Sequence, residues 1–316
     1  MSEEPTVSVV IPTYDRPAKL CRAVESVIDQ TYDHIELIVI DDCSPESPRE
    51  TVSDLIPSDI QFSFHRHNEN QGHAAARNTG MKLAEGEFIA FLDDDDEWLE
   101  EKTEKQVERF QESPESVGVV YTGLNQMNED GSINAVTTPS HTADVTRQLL
   151  VDDFIGTGSM YMIRSDTYES VGGFDERFPA WVDWDYSLRL SLEYDFAAVT
   201  EPLVNRYVGG HDQSSDDYEV RKETVSQLFL QKHRSIAANY GTMTERKVAA
   251  NVDFYLAQSA FANGLYGTAR GHIIKAILQY PLNPTYFVFL GILSGGKYTF
   301  KPIQATKRRA VRLLRY

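Results

Sequence analysis

Short apolar runs alternate with amphipathic stretches over the first 120 positions. Residues 7–11, 36–40 and 88–92 are almost wholly apolar and read as buried strands, with shorter strands at 61–64 and 117–121. Between them, residues 18–30 place Leu20, Val24, Val27 and Ile28 on one helical face. Residues 72–84 and 99–111 read as further helices, the second heavily charged. Such alternation predicts an α/β fold, a Rossmann-like, mostly parallel sheet with helices on both faces. The pattern then loosens. Residues 123–144 are polar around a turn at Asp130-Gly131, residues 159–164 and 203–207 read as strands, and residues 182–194 read as a helix. From residue 218 the periodicity is helical throughout, dividing the chain into a sheet domain, 1–217, and a helical region with a basic tail, 218–316. Within that region, Tyr255, Ala269, Ala276 and Pro281 fall at the spacing of one tetratricopeptide unit. A single unit has no neighbour to stack on and reads as ordinary helix packing.

The strand at 88–92 runs straight into four carboxylates, Asp93 to Asp96, and the strand at 36–40 ends in Asp41-Asp42. Adjacent negative charges repel one another and favour water or a cation. Carboxylates at the carboxyl ends of parallel strands stand where open α/β sheets bind ligands. The chemistry they suit is a hard divalent cation, Mn²⁺ or Mg²⁺, which in turn holds a phosphate.

Composition narrows the class. A chain of 316 residues, 41% hydrophobic and 25% charged, is that of a globular protein with a substantial core. Cys21 and Cys43 are its only cysteines, so neither a disulfide framework nor a cysteine-rich metal site is available. The first five residues, MSEEP, form no apolar leader, and a cytoplasmic location is the expectation. The net charge of −18 excludes general nucleic-acid binding, which needs a basic footprint. No Asp or Glu follows Asp253, while nine Lys and Arg do, so residues 1–253 carry −27. A surface this acidic suits a high-salt cytoplasm.

Several short motifs occur in a recognisable order. They are Val9-Val-Ile-Pro-Thr-Tyr-Asp-Arg16, Ile38-Val-Ile-Asp-Asp-Cys-Ser44, Asn70 and Gly72 with Ala76-Arg-Asn78 and Gly80, Phe91-Leu-Asp with Asp95-Asp96, Gly172-Gly-Phe-Asp-Glu176, and Asp183 with Asp185. Together they resemble the inverting nucleotide-sugar glycosyltransferases with the GT-A fold, family 2 type, over roughly residues 6–215.

That resemblance implies roles. The nucleotide of the donor would meet Pro12, Tyr14 and Arg16 after the first strand, with the Tyr14 ring suited to stacking on a base. Asp42 would read the base or ribose, while Asp41 caps the following turn. Arg77 would neutralise phosphate. The family's paired aspartates fall on Asp93 and Asp95, with Asp95 the metal ligand, Asp93 and Asp94 on the nucleotide side, and His211 at the diphosphate or metal. Asp183 takes the position of the general base, although Val182 stands where the family usually has Glu. Trp181, Trp184 and Asp185 would wall the acceptor or sugar.

The implied reaction is transfer of a sugar from a nucleotide diphosphate donor, a UDP-sugar, to a glycan or polyprenyl-lipid-linked acceptor in cell-surface glycan or glycoprotein assembly. A nucleotidyltransferase would carry a Gly-rich basic loop where this chain has Pro12-Thr-Tyr-Asp-Arg16. A catalytically silent sugar-nucleotide scaffold would not require Asp93, Asp95 and Asp183 together. The basic segment 297–316, with Val311, Leu313, Leu314 and Tyr316, suits peripheral contact with the inner face of a membrane.

Overall fold

A computed structural model describes residues 4–128, 130–207 and 217–294. In chain order its elements are β1 (Val7–Thr13), α1 (Pro17–Ile28), β2 (Ile35–Asp41), α2 (Arg49–Ser53), β3 (Gln61–Arg66), α3 (His73–Leu83), β4 (Phe88–Phe91), β5 (Asp96–Trp98) and α4 (Lys102–Gln111). Then come β6 (Val117–Met127), β7 (Ile133–Thr137), α5 (Thr146–Val151), a 3₁₀ turn at Gly158–Met160, β8 (Tyr161–Arg164), α6 (Asp166–Val171), α7 (Val182–Ser191) and β9 (Asp195–Tyr207). Helices α8 (Tyr218–Val220), α9 (Ser226–Asn239), α10 (Thr242–Ala262), α11 (Tyr266–Gln279) and α12 (Pro284–Ser294) complete it, with a π-helical stretch, Arg221–Val225, between α8 and α9.

The chain forms two compact units. The first comprises Met1–Thr146, Ile155–Arg177 and Val182–Gly209. Its sheet runs in the order β3-β2-β1-β4-β8-β6-β9-β5, with β7 paired to β6. The α/β architecture is as expected. From β3 through β4 every pairing is parallel, and all seven residues of β1 and of β2 are buried, as strands covered on both faces must be. Beyond β4 the sheet is mixed: β8 is antiparallel to both neighbours, β6 and β9 are parallel, and β5 is antiparallel to β9. Pro12 is tolerated in buried β1 because β4 pairs with β1 only as far as Val10. Its missing N–H therefore removes no ladder bond.

This topology gathers the chemistry. The carboxyl ends of β1, β2 and β4 lie on one edge of the sheet. Antiparallel β8 brings its start, Tyr161, and the preceding turn to that edge, and the ends of β6 and β9 arrive there too. Gly72, in the left-handed region at φ 90°, turns the chain into α3.

The second unit comprises Arg147–Phe154, Phe178–Trp181 and Gly210–Tyr316. Phe229, Val248, Val252, Leu256, Ile273, Tyr286 and Leu293 form its core. Asn251 donates to the Val151 carbonyl at 2.5 Å and the Tyr255 hydroxyl to Asp152 at 2.6 Å, which fastens the 147–154 segment to α10. His272 joins Tyr218 at 2.8 Å to Asp253 at 2.7 Å, and Gln279 donates to the other Asp253 oxygen at 2.8 Å.

Candidate active site

The four consecutive aspartates have four different surroundings. Asp93 pairs with Arg77, accepts from the Thr157 hydroxyl at 3.0 Å, and donates its backbone N–H to the Ser159 hydroxyl at 3.0 Å. Burial works to raise its pKa, but the Arg77 guanidinium outweighs it and holds the carboxyl at about 2. Asp94 is buried and accepts from Thr13 at 2.8 Å and Arg16 at 3.2 Å; burial nonetheless raises it to about 6. Asp95 meets the same Arg16 nitrogen at 3.2 Å, yet its side chain is 37% exposed. Asp96 is buried opposite Arg206 in the β5–β9 register. Burial, then Asp93, pushes its carboxyl well above the usual range, and its Oδ2 has no hydrogen-bond partner among the described residues.

Arg77 joins this run to the proposed base. It lies one turn into α3, is 1% exposed, and donates to Asp183 Oδ1 at 2.9 Å as well as to Asp93. Its charge is thus matched by two carboxylates in the structure, where the sequence led to the expectation of a phosphate. Burial acts to lower its pKa, but Asp183 and Asp93 raise it further still. Asp183 stands in the first turn of α7 and also accepts from the Tyr161 hydroxyl at 3.3 Å. A Cβ added at Gly158 would lie 3.1 Å from Asp183 Oδ1 and 3.3 Å from Arg77 Nη2, so the 3₁₀ turn passes directly against this pair.

At the other parallel strand ends, Tyr14 is 45% exposed and Arg16 reaches Asp94 and Asp95. The Asp15 N–H donates to the Ser44 hydroxyl at 2.9 Å, tying the loop after β1 to the loop after β2. Asp15 and Cys43, in those two loops, both hold positive φ without being glycine, a local strain that persists only where the surroundings dictate it. Asp42 is buried and accepts from the N–H groups of Gln71 and Gly72 at 2.9 and 2.7 Å and from His67 at 2.7 Å. Its carboxylate pins the approach to α3, using three of about four acceptor positions. Asp41 caps the following turn through the Ser44 N–H at 2.9 Å and pairs with Arg66 at 2.7 Å.

Two residues expected at the acceptor are buried. Trp184 is 1% exposed and Asp185 is 0% exposed, and Asp185 pairs with Arg189 at 2.9 Å. Arg189 in turn holds the Val171 and Gly173 carbonyls at 3.0 and 2.6 Å, so Asp185 serves the Gly172-Gly173 turn. Both residues point into the core because α7 is buried on most of its circumference. Trp181 is half-buried among Phe229 and Tyr255, each with ring centroids 5.7 Å away. His211 lies outside the described residues.

The model for glycosyl transferase family 2 matches residues 8–171. The chain belongs to this family. A Bacillus subtilis relative named as a teichuronic acid biosynthesis glycosyltransferase, TuaG, is 37% identical over 129 residues, covering 41% of this chain and 50% of that protein. The chain spans only half to about two thirds of the length of the first curated relatives it matches. Among solved structures, Staphylococcus aureus TarS 1–349 in complex with UDP aligns with a TM-score of 0.62 at 18% identity, covering 96% of this chain and 92% of that one. The mannosyltransferase PcManGT of Pyrobaculum calidifontis, in complex with GDP-Man and Mn²⁺, aligns with a TM-score of 0.58 at 17% identity, covering 95% and 86%. At those identities the likeness carries the GT-A fold alone.

Family 2 membership bears on a metal. Among the described residues no three His, Cys, Asp or Glu side chains converge on one point. Asp95 offers the most exposed carboxylate of the acidic run, 37% against 28% for Asp93, which is paired with Arg77, while Asp94 turns toward Thr13 and Asp96 toward Arg206. One hard oxygen ligand fits an ion such as Mg²⁺ or Mn²⁺, which takes its remaining ligands from phosphates and water. Thr13, Thr157, Ser159, Tyr161 and Arg206 complete this constellation, and none was expected from sequence. Their only advance sign is proximity to a strand end, since residues 123–158 show no readable periodicity.

Proposed function

We propose that this family 2 glycosyltransferase moves a sugar, with inversion, from a UDP-sugar to a hydroxyl or phosphate of a glycan or polyprenyl-lipid-linked acceptor during cell-surface polymer assembly at the cytoplasmic face. The observation that carries the reading is the bridge Asp93–Arg77–Asp183. It sets one carboxylate of the acidic strand end and one carboxylate of a helix start on a single buried cation. Asp183, oriented by Arg77 and Tyr161, takes the acceptor proton. Asp95 would hold the divalent ion, with His211 as a second ligand, and the ion when bound offsets charge on the departing diphosphate. Tyr14 and Arg16, at the end of β1, and Asp42, at the end of β2, supply the nucleotide side. The names of TuaG and of the TarS–UDP complex support the polymer and the nucleotide in this reading.

The deciding experiment compares Asp183→Asn with the parent. Calorimetry should give unchanged UDP affinity, while transfer falls about 10²–10⁴-fold, because the chemical step alone needs the carboxylate. Turnover near the parent level sinks the assignment.

A further inference from the structure

Leu278 and Leu282 are 78% and 71% exposed, the most exposed large apolar side chains among the described residues. They are not isolated. Ile274 stands one turn before Leu278 on α11, Leu282 lies in the turn to α12, and Phe287 and Val288 on α12 are 49% and 47% exposed. The opposite sides of the same helices are buried, through Ile273 and Ala276 on α11 and Tyr286, Phe289 and Leu293 on α12. The unit has therefore filled its core and left a second apolar face outside. Exposed apolar surface gathered in one short segment marks an interaction surface.

Charge decides what covers it. Residues 276–294 contain no Asp, Glu, Lys, Arg or His, and Arg270 and Lys275 flank them on the α11 side. Residues 295–316 add seven Lys and Arg and no Asp or Glu. A second copy of this chain would bring one cationic region against another. The chain's own segment 295–316 would likewise set like charge beside Arg270 and Lys275. An anionic bilayer complements both features, taking the apolar side chains at its interface and the basic ones at its headgroups. No described helix is long and apolar enough to cross a membrane, so the contact is with the surface.

We propose that the face formed by Ile274, Leu278, Leu282, Phe287 and Val288 seats on the surface of an anionic lipid bilayer. It names where a lipid-linked acceptor would be met and rests on that reading for the acceptor, though not for the binding. The test is flotation with phosphatidylglycerol-containing vesicles, in moderate and in high salt. The parent floats. Leu278→Glu, Leu282→Glu and Phe287→Glu combined reduce the floated fraction by about tenfold or more, and the loss persists in high salt, where headgroup attraction is screened. Should the triple variant fail to fold, Leu278→Ser with Leu282→Ser serves, with a partial loss expected. Flotation of the variant at the parent level overturns the proposal. So does a parent that stays with the pellet, a parent dimer by light scattering that the substitutions dissolve, or a truncation after Ser294 that floats better than the full chain. UDP calorimetry on the same preparations tests the donor reading separately, since none of these substitutions lies in the sheet unit.

Discussion

Asp93 and Asp95 stand two positions apart and meet opposite surroundings. One is held by Arg77, Thr157 and Ser159, whereas the other meets, among the described residues, only the part-exposed Arg16 and is the more open to solvent. Asp95→Asn should abolish the response of UDP affinity to Mn²⁺ and leave the melting temperature near the parent's, measured by calorimetry across several Mn²⁺ concentrations. An unchanged metal response would remove Asp95 from the site. Lys102 is a buried amine of a different kind. It has no carboxylate partner among the described residues, donates to Gln106 at 2.6 Å, and lies 3.7 Å from the Trp98 ring centroid. Burial lowers its pKa well below 10.5. Below pH 10.5 the unfolded chain takes up a proton that the folded chain refuses, so this group's contribution to stability falls as pH drops. The gap in stability between parent and Lys102→Met should therefore shift in the parent's favour from pH 7 to pH 10, as read by thermal melts. A gap independent of pH contradicts this. At this scale the acidic run was legible because a strand end is readable locally, while Asp183 was placed by resemblance to the family's base position at a helix start. The double engagement of Arg77 was not, since Asp183 lies 106 positions away.

Elements were legible where they obey one period. Strands β1, β2 and β4 and helices α1 and α3 fall within a few residues of expectation. Strand β5 was missed, because Asp96-Glu97-Trp98 reads as the approach to a helix and becomes a strand only through pairing with Arg206, Asn205 and Val204. Strand β9 runs for 13 residues where only its last part was readable, since a helix-like charged stretch precedes it. The Gly172-Gly173 pair was visible in the sequence only as part of a motif, with no structural purpose attached. Asn78 supplies one: it donates to the Phe174 carbonyl at 2.9 Å and to Glu176 at 2.8 Å, and accepts from the Phe174 N–H at 2.7 Å. Asn78→Ala would strand buried partners and should cost about 1–3 kcal/mol in denaturant unfolding. A loss under roughly 0.5 kcal/mol would show that water replaces the side chain without penalty.

For the whole molecule, charge is divided along the chain more sharply than any element boundary. The first 253 residues carry −27 and the remainder +9. That division was plain in the sequence, but the apolar face on α11 and α12 was not, because a helical period tells which residues share a side and not which side is covered. The bridge at Arg77 has a further consequence, in time. On the ribosome, residues 73–96 emerge well before Asp183. At about 5–20 residues per second, the cation and its first partner wait roughly 5–20 s for the second. Until then the guanidinium can meet Asp93 but lacks the second carboxylate that it holds in the folded chain. The polar edge of the sheet therefore reaches its full arrangement around Arg77 only once α7 has been synthesised.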